Sequence, residues 1–235
     1  MAQSGIQNGG KPVAQEIACL LSMPMTTPTL HLYTDSSPNG FKITIALEEL
    51  ALPYTLHHVR IEEGEHRHPD FLALNPHGRI PVLHDAATGI TVFESAAILL
   101  YLADKTGRLL PADAKGRWEA ITWLMFHSAS MGPLLGQRVH AERFAAERHD
   151  AAIERFRRLT EDTFAVLDAR LAHRPWLAGD DFSIADIATF GWMHIARIVE
   201  FDFSRYEHLS AWHQRASQRP AVQHGITLPQ PAVGP

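Results

Sequence analysis

Every strand signal in this chain lies ahead of Pro111, and everything after it reads as helix. Such a chain must build its sheet from its first half alone and cover it with helices. Thr29–Tyr33 (TLHLY) alternates and stops at the polar turn Thr34–Asn39, which ends in Gly40. Phe41–Leu50 places Ile43, Ala46, Leu47 and Leu50 at helical spacing with Lys42, Glu48 and Glu49 opposite, and Pro53 closes it. Thr55–Ile61 reads as a second strand. Strand, helix and strand in roughly 33 residues form a βαβ unit, so the first two strands are expected to be parallel.

Glu62–Leu74 is polar, with a short helix expected at Pro69–Leu74. Pro81–His84 and Ile90–Phe93 read as a hairpin around Asp85–Gly89, and Ser95 opens an apolar helix, Ala96–Lys105, that ends at Gly107. The order β-α-β-α-β-β-α over 29–107 predicts a compact α/β domain with a mixed sheet. Helices are expected at Gly116–Gln137, Ala151–Leu171, Ser183–Ile195, Tyr206–Ala216 and Pro220–His224, giving an all-α domain over 112–224. Ser183 and Asp186 have capping-box spacing, a structural helix start. The boundary falls near Arg108–Asp113. Residues 1–28 read as an extension with room for a short helix at Val13–Leu21, and 225–235 as a tail.

Composition excludes several classes. With 46% apolar residues the chain can bury a core without a disulfide or metal staple. A net charge of −5 argues against a nucleic-acid partner. Residues 29–107 carry 5 basic and 10 acidic side chains and 108–235 carry 15 of each, so an anionic ligand in the first half must be drawn by local geometry. The one cysteine, Cys19, permits neither an intrachain disulfide nor a CxxC motif and suits a reducing compartment. Ile121–Gln137 is too interrupted for a membrane span, and the apolar run Ile17–Met23 lacks a signal peptide's flanks, so a cytoplasmic protein is expected. The histidines show no metal-ligand spacing: His57 and His58 alternate across a strand. Trp118, Trp123, Met125, Phe126 and Met131 read more as core than as pocket, and part of the group has the character of a hydrophobic co-substrate wall.

Three short segments carry chemistry. In Asn75–Pro76–His77–Gly78–Arg79–Ile80–Pro81 a proline opens a strand. A cis bond there would present the Ile80 main chain to an extended peptide, but about 5–6% of X–Pro bonds are cis, and taken alone the segment reads as an ordinary trans proline punctuating a loop. In Phe93–Glu94–Ser95 a serine stands where a strand becomes a helix: free N–H groups and the helix dipole suit a carboxylate, and Glu94 suits an ammonium. A capping serine beside a solvated glutamate is the alternative. Ser36–Ser37–Pro38–Asn39–Gly40 places short donors ahead of a helix, able to stabilise a thiolate, where an ordinary turn is the alternative.

The order of elements, together with NPHGRIP, FESAAILLYLADK and FSIADI, resembles a cytosolic glutathione S-transferase, a thioredoxin-like α/β domain followed by an all-α domain, over about 29–222. SSPNGFKITIALEEL, GEHRHPDFLALNPHGRIPVL and MGPLLGQ are similar to the bacterial Nu-class and yeast Ure2-like branch. The resemblance implies glutathione as co-substrate, no metal, and reduction of a small disulfide or peroxide more than conjugation to an electrophile. A regulatory binding protein without turnover is the other kind of member. It implies that Glu94 and Ser95 hold the γ-glutamyl end and Ile80, before Pro81, pairs with the cysteinyl backbone. His66 and Arg79 meet the glycyl end, Ser37 and Asn39 face the sulfur, and Arg155 contacts glutathione. Tyr33 lies inside a strand and no cysteine is near, which disfavours tyrosine- and cysteine-type thiol activation and leaves a serine type open. A homodimer is implied as well.

Overall fold

The computed structural model describes residues 28–230. Cys19 and the helix expected at Val13–Leu21 lie outside the described residues. The first half runs β1 (Leu30–Thr34), α1 (Pro38–Leu50), β2 (Tyr54–His58), a 3-10 turn (Glu65–Arg67), α2 (Pro69–Leu74), β3 (Val82–Asp85), β4 (Ile90–Phe93) and α3 (Ser95–Thr106). The four strands form one mixed sheet of order β2-β1-β3-β4. β1 and β2 are parallel, while β3 is antiparallel to both β1 and β4. Alternation sets the faces: Leu30, Leu32 and Thr34 are buried, while His31 and Tyr33 point to the other side. There Tyr33 stacks on His57 at 4.4 Å, and His58 turns away to Asp35 at 2.9 Å.

The second half is helical. A continuous helical run holds α4 (Ala114–Phe126), a π segment (His127–Met131), α5 (Gly132–Val139) and a second π segment (His140–Phe144). Then come α6 (Asp150–Leu171), α7 (Ile184–Ile198), α8 (Glu207–Ser217) and α9 (Pro220–Gly225). The expected single helix over Gly116–Gln137 is therefore longer and twice widened, since each π segment inserts an extra residue per turn. α7 starts at a complete capping box in which Asp186 also accepts from Leu177 N–H and Trp212 Nε1, each at 2.9 Å.

The two halves share one core. Phe41 to Leu47 of α1 are all buried, because the helix shares a core with Leu30, Leu32 and Leu83 of the sheet and packs against α3, while α7 and α9 cover it as well. Two glycines permit that approach. A Cβ on Gly191 would lie 2.4 Å from the Pro38 carbonyl oxygen, and one on Gly225 would lie 2.7 Å from Ile45 N. Arg219 clamps Glu49 with bonds of 2.6 and 2.8 Å. Residues 225–229, expected as a tail, also touch this region: Thr44 Oγ1 donates to the Gly225 carbonyl at 2.7 Å.

Two expectations are corrected here. Lys42, read onto a solvent face, is 3% exposed, since the helical half buries the face that the sheet leaves free. Trp118 and Met125, read as core, are 66% and 41% exposed, while Met131 is fully buried.

Candidate active site

A cavity of about 550 Å³ lies between the halves. Asn39 and Lys42 of α1, the loop Asn75–Pro81, the β4–α3 junction at Glu94–Ala96, the π-distorted helical run and Trp192 of α7 wall it. Each wall has a local cause.

α1 begins at Ser37, whose Oγ accepts from Gly40 N–H at 2.9 Å, with Pro38 at the first turn. That cap places Asn39 in the first turn, beside the free N–H groups of the helix start. The loop is tied by buried Asn75, which donates Nδ2–H to the Arg79 carbonyl at 2.6 Å and accepts from His77 N–H at 3.0 Å. Gly78 has φ +64 in that loop, and the Ile80–Pro81 bond is cis.

At the β4–α3 junction Glu94 itself takes the cap position, with φ 71 and ψ 116 and no side-chain capping bond. Few side chains adopt that conformation, which costs about 1–3 kcal/mol and gathers at ligand clamps. Ser95 is the first helical residue, so the alternative of a capping serine does not hold. Its Oγ accepts from Lys42 Nζ at 3.2 Å, and the N–H groups of the first turn of α3 stay uncapped toward the cavity.

Two buried bases stand on the cavity floor. Lys42 Nζ donates to Asn39 Oδ1 at 2.7 Å. Burial pushes its ammonium down to about 7, with Glu94 pulling the other way. His127, in the first π segment, is 1% exposed, and neither ring nitrogen has a partner. Burial, with the Lys42 charge second, holds it well below the usual histidine range. Sequence reasoning missed Lys42, Asn75, His127 and Trp192. Only Asn75, inside an already noted motif, carried a local signal.

Of the residues singled out from sequence, Asn39, Arg79, Ile80, Pro81, Glu94 and Ser95 are brought together on the cavity wall. Ser37 is not among them: its Oγ accepts from Gly40 N–H at the α1 cap, and the residue lies off the cavity wall. His66 sits in the 3-10 turn with its carbonyl against Gly78, behind the loop rather than on the wall. Arg155 is exposed on α6, away from the wall. Among the described residues no group of three His, Cys, Asp or Glu is arranged to hold a metal ion, and no helix is long and apolar enough to cross a membrane.

A four-stranded thioredoxin-like unit, an all-helical unit and donors from both around one cleft define the glutathione S-transferase architecture. Residues 36–105 match the family model for the glutathione S-transferase N-terminal domain, and residues 121–220 match that for its C-terminal domain. The chain belongs to the glutathione S-transferase family. Its relatives include the disulfide-bond oxidoreductase YfcG of Escherichia coli, 38% identical over 206 residues that span 86% of this chain and 96% of that protein. A glutathione transferase homolog of Lodderomyces elongisporus, solved with two glutathiones per subunit, superimposes with a TM-score of 0.82 at 31% identity, covering 86% of this chain and 99% of that one. The glutathione transferase URE2P6 of Phanerochaete chrysosporium, solved with oxidized glutathione, gives 0.79 at 32% identity, covering 84% and 94%. Within the family the chain therefore stands with YfcG and the Ure2-like transferases.

Proposed function

We propose that the protein is a glutathione-dependent reductase of small disulfides, with peroxides and electrophiles as further substrates of the same thiolate. The observation that carries this reading is the pairing, across one cavity, of Asn39 at the start of α1 with Ser95 at the uncapped start of α3. Two positive helix ends, spaced by a buried lysine, suit a ligand with a carboxylate at one end and a thiolate near the other.

In this reading Ser95 Oγ–H and the α3 N–H groups hold the γ-glutamyl carboxylate, and Glu94 holds the adjacent ammonium. The Ile80 main chain pairs with the cysteinyl backbone, and Arg79 meets the glycyl carboxylate. Asn39 Nδ2–H faces the sulfur and favours the anion. The thiolate attacks one sulfur of the substrate disulfide, and the other sulfur leaves as a thiolate that takes up a proton. A second glutathione thiolate then attacks the mixed disulfide, releasing the substrate's remaining thiol and glutathione disulfide. No protein cysteine enters, so every sulfur that is not the substrate's belongs to glutathione. The two-glutathione and oxidized-glutathione complexes of the relatives support a cleft large enough for both molecules.

Such a reaction draws its reductant from the cytoplasm, where we place the protein. We read it as a homodimer, supported by exposed Ile90 and Phe93 on edge strand β4 and exposed Trp118 and Met125 on α4.

Turnover of a small disulfide with glutathione tests the reading. Activity should survive Cys19→Ser and fall in Asn39→Ala, most below the free thiol's pKa of about 8.5, with partial recovery at high pH. Loss of turnover in Cys19→Ser, or a silent Asn39→Ala across the pH range, refutes it. Glutathione binding without turnover in the wild type returns the protein to the regulatory kind of member.

A further inference from the structure

Lys42 stands between the two ends of the cavity. Its Nζ lies 2.7 Å from Asn39 Oδ1 and 3.2 Å from Ser95 Oγ. Its stem lies against α7, where a Cβ on Gly191 would come within 2.9 Å of Lys42 Cγ. An ammonium has three donors and no acceptor. The Asn39 atom that faces it is therefore the carbonyl oxygen, since a reversed amide would set donor against donor. The Asn39 NH2 group then points away from Lys42. At Ser95 the lysine occupies an oxygen lone pair, so the hydroxyl hydrogen turns elsewhere. Both residues wall the cavity.

We propose that Lys42 is a positioning residue that sets the hydrogen-bond polarity of the glutathione seat: by occupying the acceptor atoms of Asn39 and Ser95 it leaves both facing the ligand as donors. The inference rests on the reading that the sulfur lies at Asn39 and the γ-glutamyl carboxylate at Ser95. Those two ligand groups, a thiolate and a carboxylate, are both acceptors, so one buried lysine makes both ends of the seat complementary to them. Were Lys42 absent, Asn39 would be free to turn its carbonyl toward the sulfur and repel the anion.

Charge follows the same geometry. The β4–α3 junction brings Glu94 to Lys42, the π segment brings His127, and α7 brings Gly191 against its stem, with His194 packed edge-on against the neighbouring Phe41. Arg79, His77 and His140 stand on the surrounding walls. Since burial holds Lys42 near neutrality, an empty seat at pH 7 carries its charge in only part of the molecules. An anionic ligand restores the proton, so binding takes one up. His127 stays neutral throughout because its own titration lies well below.

Calorimetry of the full chain with S-methylglutathione at pH 7, in phosphate and in Tris, reads this directly. The blocked sulfur adds no proton of its own, and the difference in heat between the buffers counts the protons taken up. Lys42→Met keeps the length of the stem and removes the donor and charge. The wild type should take up a measurable fraction of a proton more per site than Lys42→Met. In disulfide reduction, Lys42→Met should lower kcat/KM about tenfold in the wild-type background and by clearly less in the Asn39→Ala background, where only its hold on Ser95 is left to lose. Should Lys42→Met fail to fold, Lys42→Gln, which keeps a donor without a charge, must lose the extra proton uptake while keeping most of the affinity. Equal proton uptake in the wild type and the Lys42 variant, with additive losses in the double variant, overturns the assignment and leaves the glutathione seat standing. No binding of S-methylglutathione to the wild type overturns both.

Discussion

Gly191→Ala tests whether close packing of the helical half positions the site. The new methyl carbon would lie 2.4 Å from the Pro38 carbonyl oxygen and 2.9 Å from Lys42 Cγ. The oxygen is backbone, so no rotamer change relieves it. The first turn of α1 must retreat by at least about 0.6 Å to restore an allowed contact. Overpacking of this kind costs about 1–3 kcal/mol, which lowers the melting temperature of a chain this size by roughly 2–12 °C. Asn39 and Lys42 ride on the same turn, so the donors move with it. A displacement approaching ~1 Å at a reacting group costs up to ~100-fold in rate, and a loss of about tenfold in kcat/KM is expected here. Gly89→Ala is the control: it forces a side chain to φ +71 with nothing within 4 Å, so it should lower stability and leave disulfide reduction unchanged. Thermal unfolding and glutathione-dependent disulfide turnover of both variants give the comparison. If Gly191→Ala melts early but keeps full kcat/KM, α7 absorbs the strain and the positioning argument fails.

Ser95→Ala should weaken glutathione binding by ~1–3 kcal/mol in calorimetry through loss of a charge-assisted hydrogen bond. Asp186→Ala leaves Leu177 N–H, Ser183 N–H and Trp212 Nε1 without their acceptor and should cost about 3–5 kcal/mol in urea unfolding; a loss below ~1 kcal/mol would contradict it. His213, packed flat on Phe190 at 5.3 Å, is held down to about 4 by burial, with His194 and Arg197 adding to it. Its folded-state value is depressed, so the stability it contributes is whole above about pH 6.5 and is lost as pH falls from there through about 4. Urea midpoints of His213→Phe should therefore fall less steeply over that window than those of the wild type. Light scattering should give twice the 26.2 kDa chain mass at micromolar concentration, and a monomer would remove the dimer from the account.

The fold was legible because its signals are local. Alternation in Thr29–Tyr33, the Ser183–Asp186 spacing and the breakers Pro53 and Gly107 each act over a few residues. Asn39, Ile80, Pro81, Glu94 and Ser95 were legible for the same reason: each sits where a strand, loop and helix meet. Lys42 was not, because a helical wheel assumes one buried face and α1 has two. The second face is created by Gly191 and Gly225, some 150 or more residues away in sequence, and no local pattern reports so distant a partner. His127 escaped because the π segment that it opens breaks the 3.6-residue period that would have placed it. Ser37 was placed facing the sulfur by the family resemblance; its oxygen accepts the Gly40 N–H that opens the helix carrying Asn39, and the residue lies off the cavity wall. Trp118 and Met125 fit a buried stripe by spacing alone, yet they lie on the outside of α4, and spacing does not say which face meets a partner.

The central claim is the placement of glutathione between Asn39 and Ser95, and a crystal structure of the full chain soaked with glutathione tests it most directly. The account predicts the γ-glutamyl carboxylate within hydrogen-bond distance of Ser95 Oγ and the sulfur next to Asn39 Nδ2, with Lys42 still bonded to both side chains. A sulfur beside Ser37 Oγ, or a tripeptide lodged instead against Tyr33, His57 and Phe71 in the neighbouring pocket of about 890 Å³, would contradict it.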